Sequence, residues 1–143
     1  MQADIGTDER AEQGREPVRR NTHKRAAADR AVQQIRLAYR LEHPHCQWIG
    51  CQHRGEDLHE IVRGPDRRKA LGVPAALLHL CQEHHLLVHS QPSIVRDLAV
   101  KWVDNDGTFD IELIAQLRGR PASSITTTDV LDAAECLLNE QLE

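Results

Sequence analysis

Aromatic side chains are scarce in this chain of 143 residues, at 3% of the composition, and methionine occurs once. The hydrophobic core must therefore be built mainly from Leu, Ile, Val and Ala. Long apolar runs are also missing, which argues against a membrane-spanning segment. The opening residues, MQADIGTDER, lack the apolar stretch of a secretory signal. These absences predict a cytoplasmic protein, of a bacterium or of a phage-infected host cell, with no membrane partner.

Cysteine is present at four positions: Cys46, Cys51, Cys81 and Cys136. Thiols stay reduced in the cytoplasm, so metal ligands or free thiols are a better interpretation than disulfides. A domain of this length buries enough apolar surface to fold without disulfides. A small core nonetheless gains stability from a bound metal.

The net charge of −4 hides a basic segment near the N-terminus. Residues 10–40 carry nine Lys and Arg side chains against three acidic ones. We expect residues 1–20 to form a disordered N-terminal arm, because they are polar and have no apolar period. Residues 21–43 are predicted to form a basic helix that ends before Pro44. Its polar face is either a solvated surface or a contact for a polyanion. That face carries Lys24, Arg36 and Arg40.

The remainder divides into two predicted segments. Residues 44–91 contain irregular turns, a short strand around LHEIV and a partly helical stretch at 75–89 that starts after Pro74. Residues 92–143 are predicted to form a C-terminal helical extension packed on the same domain. One of its helices runs through SIVRDLAVKWV, and the other covers about residues 129–142, capped by Thr128. The predicted fold class is α+β.

A cysteine pair and a Cys–His pair have spacings that suit a zinc site. Cys46 and Cys51 lie in the glycine-containing turn CQWIGC, and Cys81 and His84 follow in CQEH. Zinc takes four N or S ligands in a tetrahedron, which two short-spaced pairs can supply. The alternative is a set of small buried cysteines and a core histidine. Further histidines that can replace one of these ligands are His43, His45 and His53.

Two more histidines, His85 and His89, remain on the same predicted helix. They are four residues apart, so they project from one helical face and can bind one cation. His59, in the strand DLHEI, is the expected third ligand. Each histidine taken alone is more simply a polar side chain with a protein partner, and it is their joint spacing that favours a metal site. Basic side chains that can hold a phosphate backbone follow the strand: Arg63, Arg67, Arg68 and Lys69.

The stretch C46…C51…DLHEIVRG…LLHLCQEHHLLVH combines both ligand sets. Over residues 45–90 it resembles the HNH endonucleases, the ββα-metal (His-Me finger) nucleases, in their zinc-bound subclass. The resemblance implies a small ββα-metal finger at residues 44–91, stapled by a structural zinc and flanked by N-terminal and C-terminal helices. It also implies a metal-dependent DNA endonuclease that hydrolyses phosphodiester bonds, as phages and mobile elements encode. The expected cofactors are Zn²⁺ in the structural site and Mg²⁺, Mn²⁺ or another divalent cation in the catalytic site.

The resemblance assigns roles by position. His59 matches the metal ligand of the first strand, Glu60 the general base, and His85 and His89 the ligands of the following helix. His59, Glu60 and His85 are therefore the expected catalytic residues. Two positions depart from the family's pattern. Glu60 replaces a histidine, and a carboxylate beside a divalent cation accepts a proton only weakly or binds the metal itself. Ala76 replaces the asparagine that names the family.

Three functions follow as alternatives. The first is a DNA endonuclease, with DNA as its partner and the basic helix as a clamp. The second is a zinc-stabilised nucleic-acid-binding module without catalysis, which the two departures favour. The third is a zinc-stapled adaptor whose acidic C-terminal helix binds a protein partner or a second copy of the chain.

Overall fold

A computed structural model of the chain describes residues 23–142. Contacts between residues divide the chain into two units, after Gln34. The described part of the first unit is the start of helix α1, which covers residues 23–42, and the second unit holds every later element. The predicted arm at residues 1–20 lies outside the described residues.

Tyr39 anchors the part of α1 that belongs to the second unit. It is 2% exposed, and its hydroxyl lies 2.8 Å from both Gln47 Oε1 and the Leu77 carbonyl oxygen. The helical spacing of Ala28, Val32, Ile35 and Tyr39 predicts an apolar face for this helix, which is only partly covered, since Ile35 remains 39% exposed. Pro44 follows the end of the helix, as expected from the restriction that proline places on the preceding residue.

A two-stranded antiparallel sheet carries the first of the predicted site histidines. Strand β1 (Asp57–Glu60) pairs with β2 (Leu77–Leu80), and His59 lies opposite Leu78 in the ladder. The connection contains the short helix α2 (Arg67–Ala70) between two 3₁₀ turns. The strand predicted around LHEIV is confirmed.

Strand β2 corrects the prediction that residues 75–89 are partly helical from their start. Pro74 begins a 3₁₀ turn, and the four residues of β2 that follow are all buried. Backbone bonds from Glu56 N to the Leu80 carbonyl oxygen (2.9 Å) and from Ile61 N to the Ala76 carbonyl oxygen (2.8 Å) extend the pairing. A short apolar run fits helix or strand equally well by periodicity, and here the pairing with β1 decides.

Four helices follow the sheet: α3 (Gln82–Ser90), α4 (Ile94–Asp104), α5 (Ile111–Leu117) and α6 (Thr127–Leu142). Side chains of Ser93, Asp110 and Thr126 accept backbone N–H bonds in the first turns of α4, α5 and α6. Thr126 caps the last helix instead of the predicted Thr128. Helix α5 was not predicted, because its seven residues make less than two turns and show no clear period.

Leu, Ile, Val and Ala form most of the core, as predicted. Fully buried Val88 of α3, Leu98 of α4 and Val130 of α6 belong to one cluster with Leu78 and Leu80 of the sheet. The predicted C-terminal extension therefore shares its core with the sheet. The architecture of the described residues is α+β, with six α-helices and one small antiparallel sheet.

The buried face of α4 differs from the predicted one. The helical spacing of Ile94, Val95, Leu98 and Trp102 predicts one apolar face, but Trp102 is 43% exposed, whereas Asp97 and Lys101 are buried. Lys101 Nζ lies 2.8 Å from Asp106 Oδ2 and 2.7 Å from the Leu77 carbonyl oxygen. Burial by itself would raise the pKa of Asp106, but hydrogen bonds from Lys101 and Thr108 outweigh it and hold that pKa below its ordinary value. The two side chains thus form a buried ion pair that joins α4 to the sheet.

Among residues 23–142, no helix has both the length and the apolar character needed to cross a bilayer.

Candidate metal centres

The four predicted ligands of the first site lie together. Cys46, Cys51, Cys81 and His84 each offer one ligand atom, and these atoms lie within 4.8 Å of one another. His84 Nδ1 is 3.5 Å from Cys46 Sγ and 3.3 Å from Cys81 Sγ, and the sulfurs of Cys51 and Cys81 are 4.0 Å apart. Tetrahedral zinc with ordinary bond lengths has ligand-to-ligand edges of about 3.5–3.8 Å. The set therefore has the dimensions of a four-coordinate site and could hold a metal ion.

Local structure explains how these ligands are held. Gly50 adopts a φ of +76° in the turn between Cys46 and Cys51, which a side-chain-bearing residue adopts only with strain. Cys51 N donates to the Trp48 carbonyl oxygen at 3.0 Å and closes the turn. The Trp48 ring stacks on the His84 ring, with centroids 4.9 Å apart and an interplanar angle of 8°. This stacking fixes the imidazole plane.

The protonation chemistry of the first site suits a bound cation. Burial raises the pKa of the Cys46 thiol to about 12, so this sulfur is a poor thiolate on its own. Burial also lowers the pKa of His84, which favours the neutral imidazole that ligates metals. The site lacks a positive charge that would stabilise a thiolate, and a coordinated cation would supply it, because a thiol that binds a metal ion loses its proton.

None of the three alternative histidines belongs to the first ligand group. His45 is exposed and pairs through its backbone with Arg54. His53 is exposed at the rim of a cavity that Cys51 and His84 also line. Cys136 is an exposed free thiol on α6, apart from the other three cysteines.

His43 belongs to a different group, with Asp104 and Asp106. Those carboxylates already accept hydrogen bonds within the protein, from Gln47 Nε2 at 2.9 Å and from Lys101 Nζ at 2.8 Å. The ammonium group of Lys101 therefore takes the position beside Asp106 that a cation would need.

The second predicted set also converges. His59 from β1 meets His85 and His89 from α3, with ligand nitrogens within 4.8 Å of one another. The Nε2 atoms of His85 and His89 are 2.9 Å apart, and the His59 ring centroid is 6.2 Å from that of His85 and 5.7 Å from that of His89. Burial, together with the nearby charges of His85 and Arg63, lowers the pKa of His89. The lowered pKa favours a neutral ring, which is the metal-binding form.

Carboxylates hold two of the three rings. Asp57 Oδ2 lies 3.3 Å from His85 Nδ1, on the side of the ring away from His89. Asp97 Oδ2 lies 2.8 Å from His59 Nε2, and both side chains are 1% exposed. Metal-binding histidines commonly donate their other ring N–H to such a carboxylate, which fixes the ring and its tautomer. Arg96 pairs with the remaining oxygen of Asp97 at 3.2 Å.

Sequence reasoning missed Asp97. One signal was available, because Asp97 and Lys101 are four residues apart in the helix SIVRDLAVKWV, whose other buried positions are apolar. Charged residues at that spacing within an apolar face are rarely buried unless they have partners. Asp106 and Arg96 are near in sequence, but His59 and the Leu77 carbonyl oxygen lie on distant parts of the chain, which only the fold brings close.

Glu60, the expected base, has a different environment from the histidines. Its Oε1 lies 3.1 Å from Arg67 Nη2 and 3.5 Å from Arg36 Nη1. Consecutive strand residues project to opposite faces, so His59 and Glu60 diverge at the end of β1. Glu60 is not a member of the three-histidine group. Ala76, at the asparagine position, is fully buried and joins β1 only through its backbone.

The predicted phosphate contacts lie in several environments. Arg67, Arg68 and Lys69 form an exposed basic turn at α2, and Lys69 also pairs with Asp66 at 3.6 Å. Arg63 is half-buried, with Nη2 3.5 Å from His59 Nε2 and a hydrogen bond to the Val88 carbonyl oxygen.

The basic residues predicted on α1 also differ from one another. Arg36 donates to the Leu71 carbonyl oxygen at 3.1 Å and pairs with Glu60, so its guanidinium is already bound within the protein. Arg40 is exposed, and Lys24 is an exposed residue of the first unit.

Comparisons of the chain with protein-family models, with curated proteins and with solved structures found no match.

Proposed function

We propose that this chain is a metal-dependent DNA endonuclease of the HNH type, with a ββα-metal finger formed by β1, β2 and α3. The observation that carries the proposal is the convergence of His59, from the strand, with His85 and His89, from the helix. A divalent cation held by three such ligands polarises a phosphate oxygen and stabilises the charge on the leaving oxygen. Mg²⁺, Mn²⁺ or another divalent cation would serve in this role, and three imidazole ligands suit a transition-metal ion better than Mg²⁺, which prefers oxygen ligands.

The Cys46, Cys51, Cys81 and His84 site is assigned to structural zinc. Its support is a closed set of sulfur and imidazole ligands with near-tetrahedral spacing. Four protein ligands leave no position for a substrate, so the ion would stabilise the fold. These ligands need reduced thiols, which supports the cytoplasmic location proposed from the sequence.

The basic residues that follow β1 supply contacts for DNA. Arg63 lies between His59 and the exposed turn of Arg67, Arg68 and Lys69 along the chain. Such side chains bind phosphate oxygens and read little sequence. Binding is therefore expected to weaken steeply as salt rises.

Within this proposal the role of Glu60 as the residue that takes a proton from the attacking water rests on the resemblance alone. Its side chain leaves β1 on the face opposite His59, and its Oε1 is engaged by Arg36 and Arg67. Because the same ion pairs also explain Glu60 as a structural residue, its role needs a test of its own.

A plasmid-nicking assay with added Mg²⁺ or Mn²⁺ tests the proposal. His85→Ala should lower the nicking rate by more than about 100-fold, because losing even an outer partner of a metal ligand costs 10–100-fold. His45→Ala is the matched control, since this exposed histidine belongs to neither ligand group. Equal nicking by the wild type and His85→Ala, or nicking without added cation, would contradict the proposal. Unchanged nicking by Glu60→Gln would remove Glu60 from the mechanism and leave the metal site in place.

A second candidate function is a catalytically inactive, zinc-stabilised nucleic-acid-binding module. The observation that favours it is the engagement of Glu60 by two arginines, together with alanine at position 76. Gel retardation of DNA without nicking at any cation concentration would support this candidate. An adaptor that binds a protein partner or a second copy through its C-terminal helix stays a prediction from the acidic composition of α6.

A further inference from the structure

One cavity is lined by three arginines that come from two separate parts of the chain. Arg63 follows β1, and Arg118 and Arg120 follow α5. The cavity also contains Ser93 and Ile94, at the start of the 11-residue helix α4. Neither Arg118 nor Arg120 belongs to the basic residues that the sequence pointed to.

The end of α5 places both arginines in a defined geometry. Gly119 adopts a φ of +64°, Gly119 N donates to the Gln116 carbonyl oxygen at 3.0 Å, and Arg120 N donates to the Ala115 carbonyl oxygen at 3.0 Å. These two bonds around a left-handed glycine form a Schellman motif. Arg118 and Arg120 therefore flank a fixed turn instead of extending from a free loop.

The cavity holds more positive charge than its own carboxylate neutralises. Asp66 is the acidic residue in its lining, and its carboxylate pairs with Lys69 at 3.6 Å. In the described residues, the guanidinium groups of Arg63, Arg118 and Arg120 take part in no salt bridge. Burial, and then the like charge of Arg120, lower the pKa of Arg118, while Asp66 opposes this shift.

A helix C-terminus attracts cations, and this alone could account for one arginine near the end of α5. It does not account for Arg63, which lines the same cavity from the connection between β1 and β2. In the first turn of α4, Arg96 N and Asp97 N already donate to Ser93, so the N–H groups of Ile94 and Val95 are the ones without a helical partner. Guanidinium groups and backbone N–H donors that point to one place are the groups with which proteins bind phosphate oxygens.

We infer that this cavity, lined by Arg63, Arg118 and Arg120, binds a phosphate group. Under the proposed nuclease function, on which this part rests, the phosphate belongs to the DNA backbone next to the one at the histidines. Arg63 joins the two places, because it lines the cavity and its Nη2 lies 3.5 Å from His59 Nε2. The C-terminal helices would then position the substrate as well as complete the core.

The test measures DNA binding without cleavage. Zinc-loaded protein, with no Mg²⁺ or Mn²⁺ added, is titrated against a fluorescent 20-base-pair duplex by anisotropy between 50 and 200 mM NaCl. Losing one phosphate contact reduces the slope of log affinity against log salt by about 0.9. Arg118→Gln should therefore bind about 15-fold more weakly than the wild type at 50 mM and about fourfold more weakly at 200 mM. Arg118→Lys should recover part of the loss, because it keeps the charge without the planar fork.

Arg54→Gln is the matched control, since it removes one exposed charge outside this cavity. Equal weakening by Arg54→Gln and Arg118→Gln would show a general charge effect and overturn the inference. A second arm titrates inorganic phosphate and follows the melting temperature. A third result is that DNA does not bind, but phosphate raises the melting temperature of the wild type and not of Arg118→Gln. In that case the site binds free phosphate, and the nuclease proposal fails. Absence of both effects would overturn the site itself.

Discussion

Asp97→Asn tests the histidine centre through a residue that touches no proposed substrate. Asp97 is 1% exposed, and it contacts His59 Nε2 at 2.8 Å and Arg96 Nη2 at 3.2 Å. Asparagine keeps the size and one acceptor oxygen but removes the charge. The amide can also present its N–H₂ group to His59, which would favour the wrong tautomer of the imidazole.

Two separate losses are expected. Outer partners of metal-binding histidines contribute 10–100-fold to metal affinity, so Mn²⁺ affinity should fall in that range, by about 1.4–2.7 kcal/mol. Stability should also fall by about 1.5–3 kcal/mol, because a hydrogen bond to a charged group is lost and Arg96 keeps a weaker partner. Calorimetric titration of zinc-loaded protein with Mn²⁺ measures the loss of metal affinity. Urea unfolding with no ion in the histidine site measures the loss of stability.

The two readouts separate a positioning role from a purely structural one. If Asp97→Asn lost stability but bound Mn²⁺ as tightly as the wild type, Asp97 would only support the fold, and the reasoning about His59 would be wrong. Asp132→Asn, an exposed residue of α6, serves as the control and should change neither value.

Two further predictions concern the rest of the fold. Cys51→Ser should reduce the zinc content from about one ion per chain and lower the melting temperature. The control Cys136→Ser, at the exposed thiol of α6, should change neither. Equal zinc in the two variants, measured by mass spectrometry of the metal, would contradict the ligand set. Lys101→Met should destabilise the protein by about 3–5 kcal/mol in urea at neutral pH, because it leaves the Asp106 carboxylate buried without its cation. The control Lys69→Met breaks an exposed pair with Asp66 and should lower the free energy of unfolding by less than about 1 kcal/mol. Similar losses of stability in the two variants would contradict the idea that burial makes the Lys101–Asp106 pair costly to break.

The two ligand pairs at α3 were predictable because each depends on local spacing. Cys81 and His84 are three apart and His85 and His89 are four apart, which on one helix directs the first pair and the second pair to different places. The strand around LHEIV, which carries His59, was predicted from a short stretch between Gly55 and Gly64. Spacings of this kind act over a few residues, whereas the meeting of Cys46 and Cys51 with Cys81 and His84, and of His59 with His85 and His89, depends on the fold.

The features that the sequence did not predict depend on contacts between distant segments of the chain. Residues 77–80 became a strand because β1 was available to pair with them. Asp97 could not be linked to His59 from sequence, since the two are separated by 38 residues and meet only inside the core. Arg118 and Arg120 are ordinary residues after a short helix until the fold brings Arg63 to the same cavity.

Helix α3 couples the two proposed ions, because it supplies ligands to both. It begins beside Cys81, whose carbonyl oxygen accepts the bond from His85 N at 2.9 Å, and His84 and His85 then project to different sides of the helix. An ion held by Cys81 and His84 thus fixes the position and the rotation of the helix that presents His85 and His89. If the first ion orders α3, it should tighten binding at the second site, and because binding free energies are reciprocal the second ion should tighten binding at the first by the same factor. Under the proposed function, the cysteines would then influence the histidine site only through the helix that they hold.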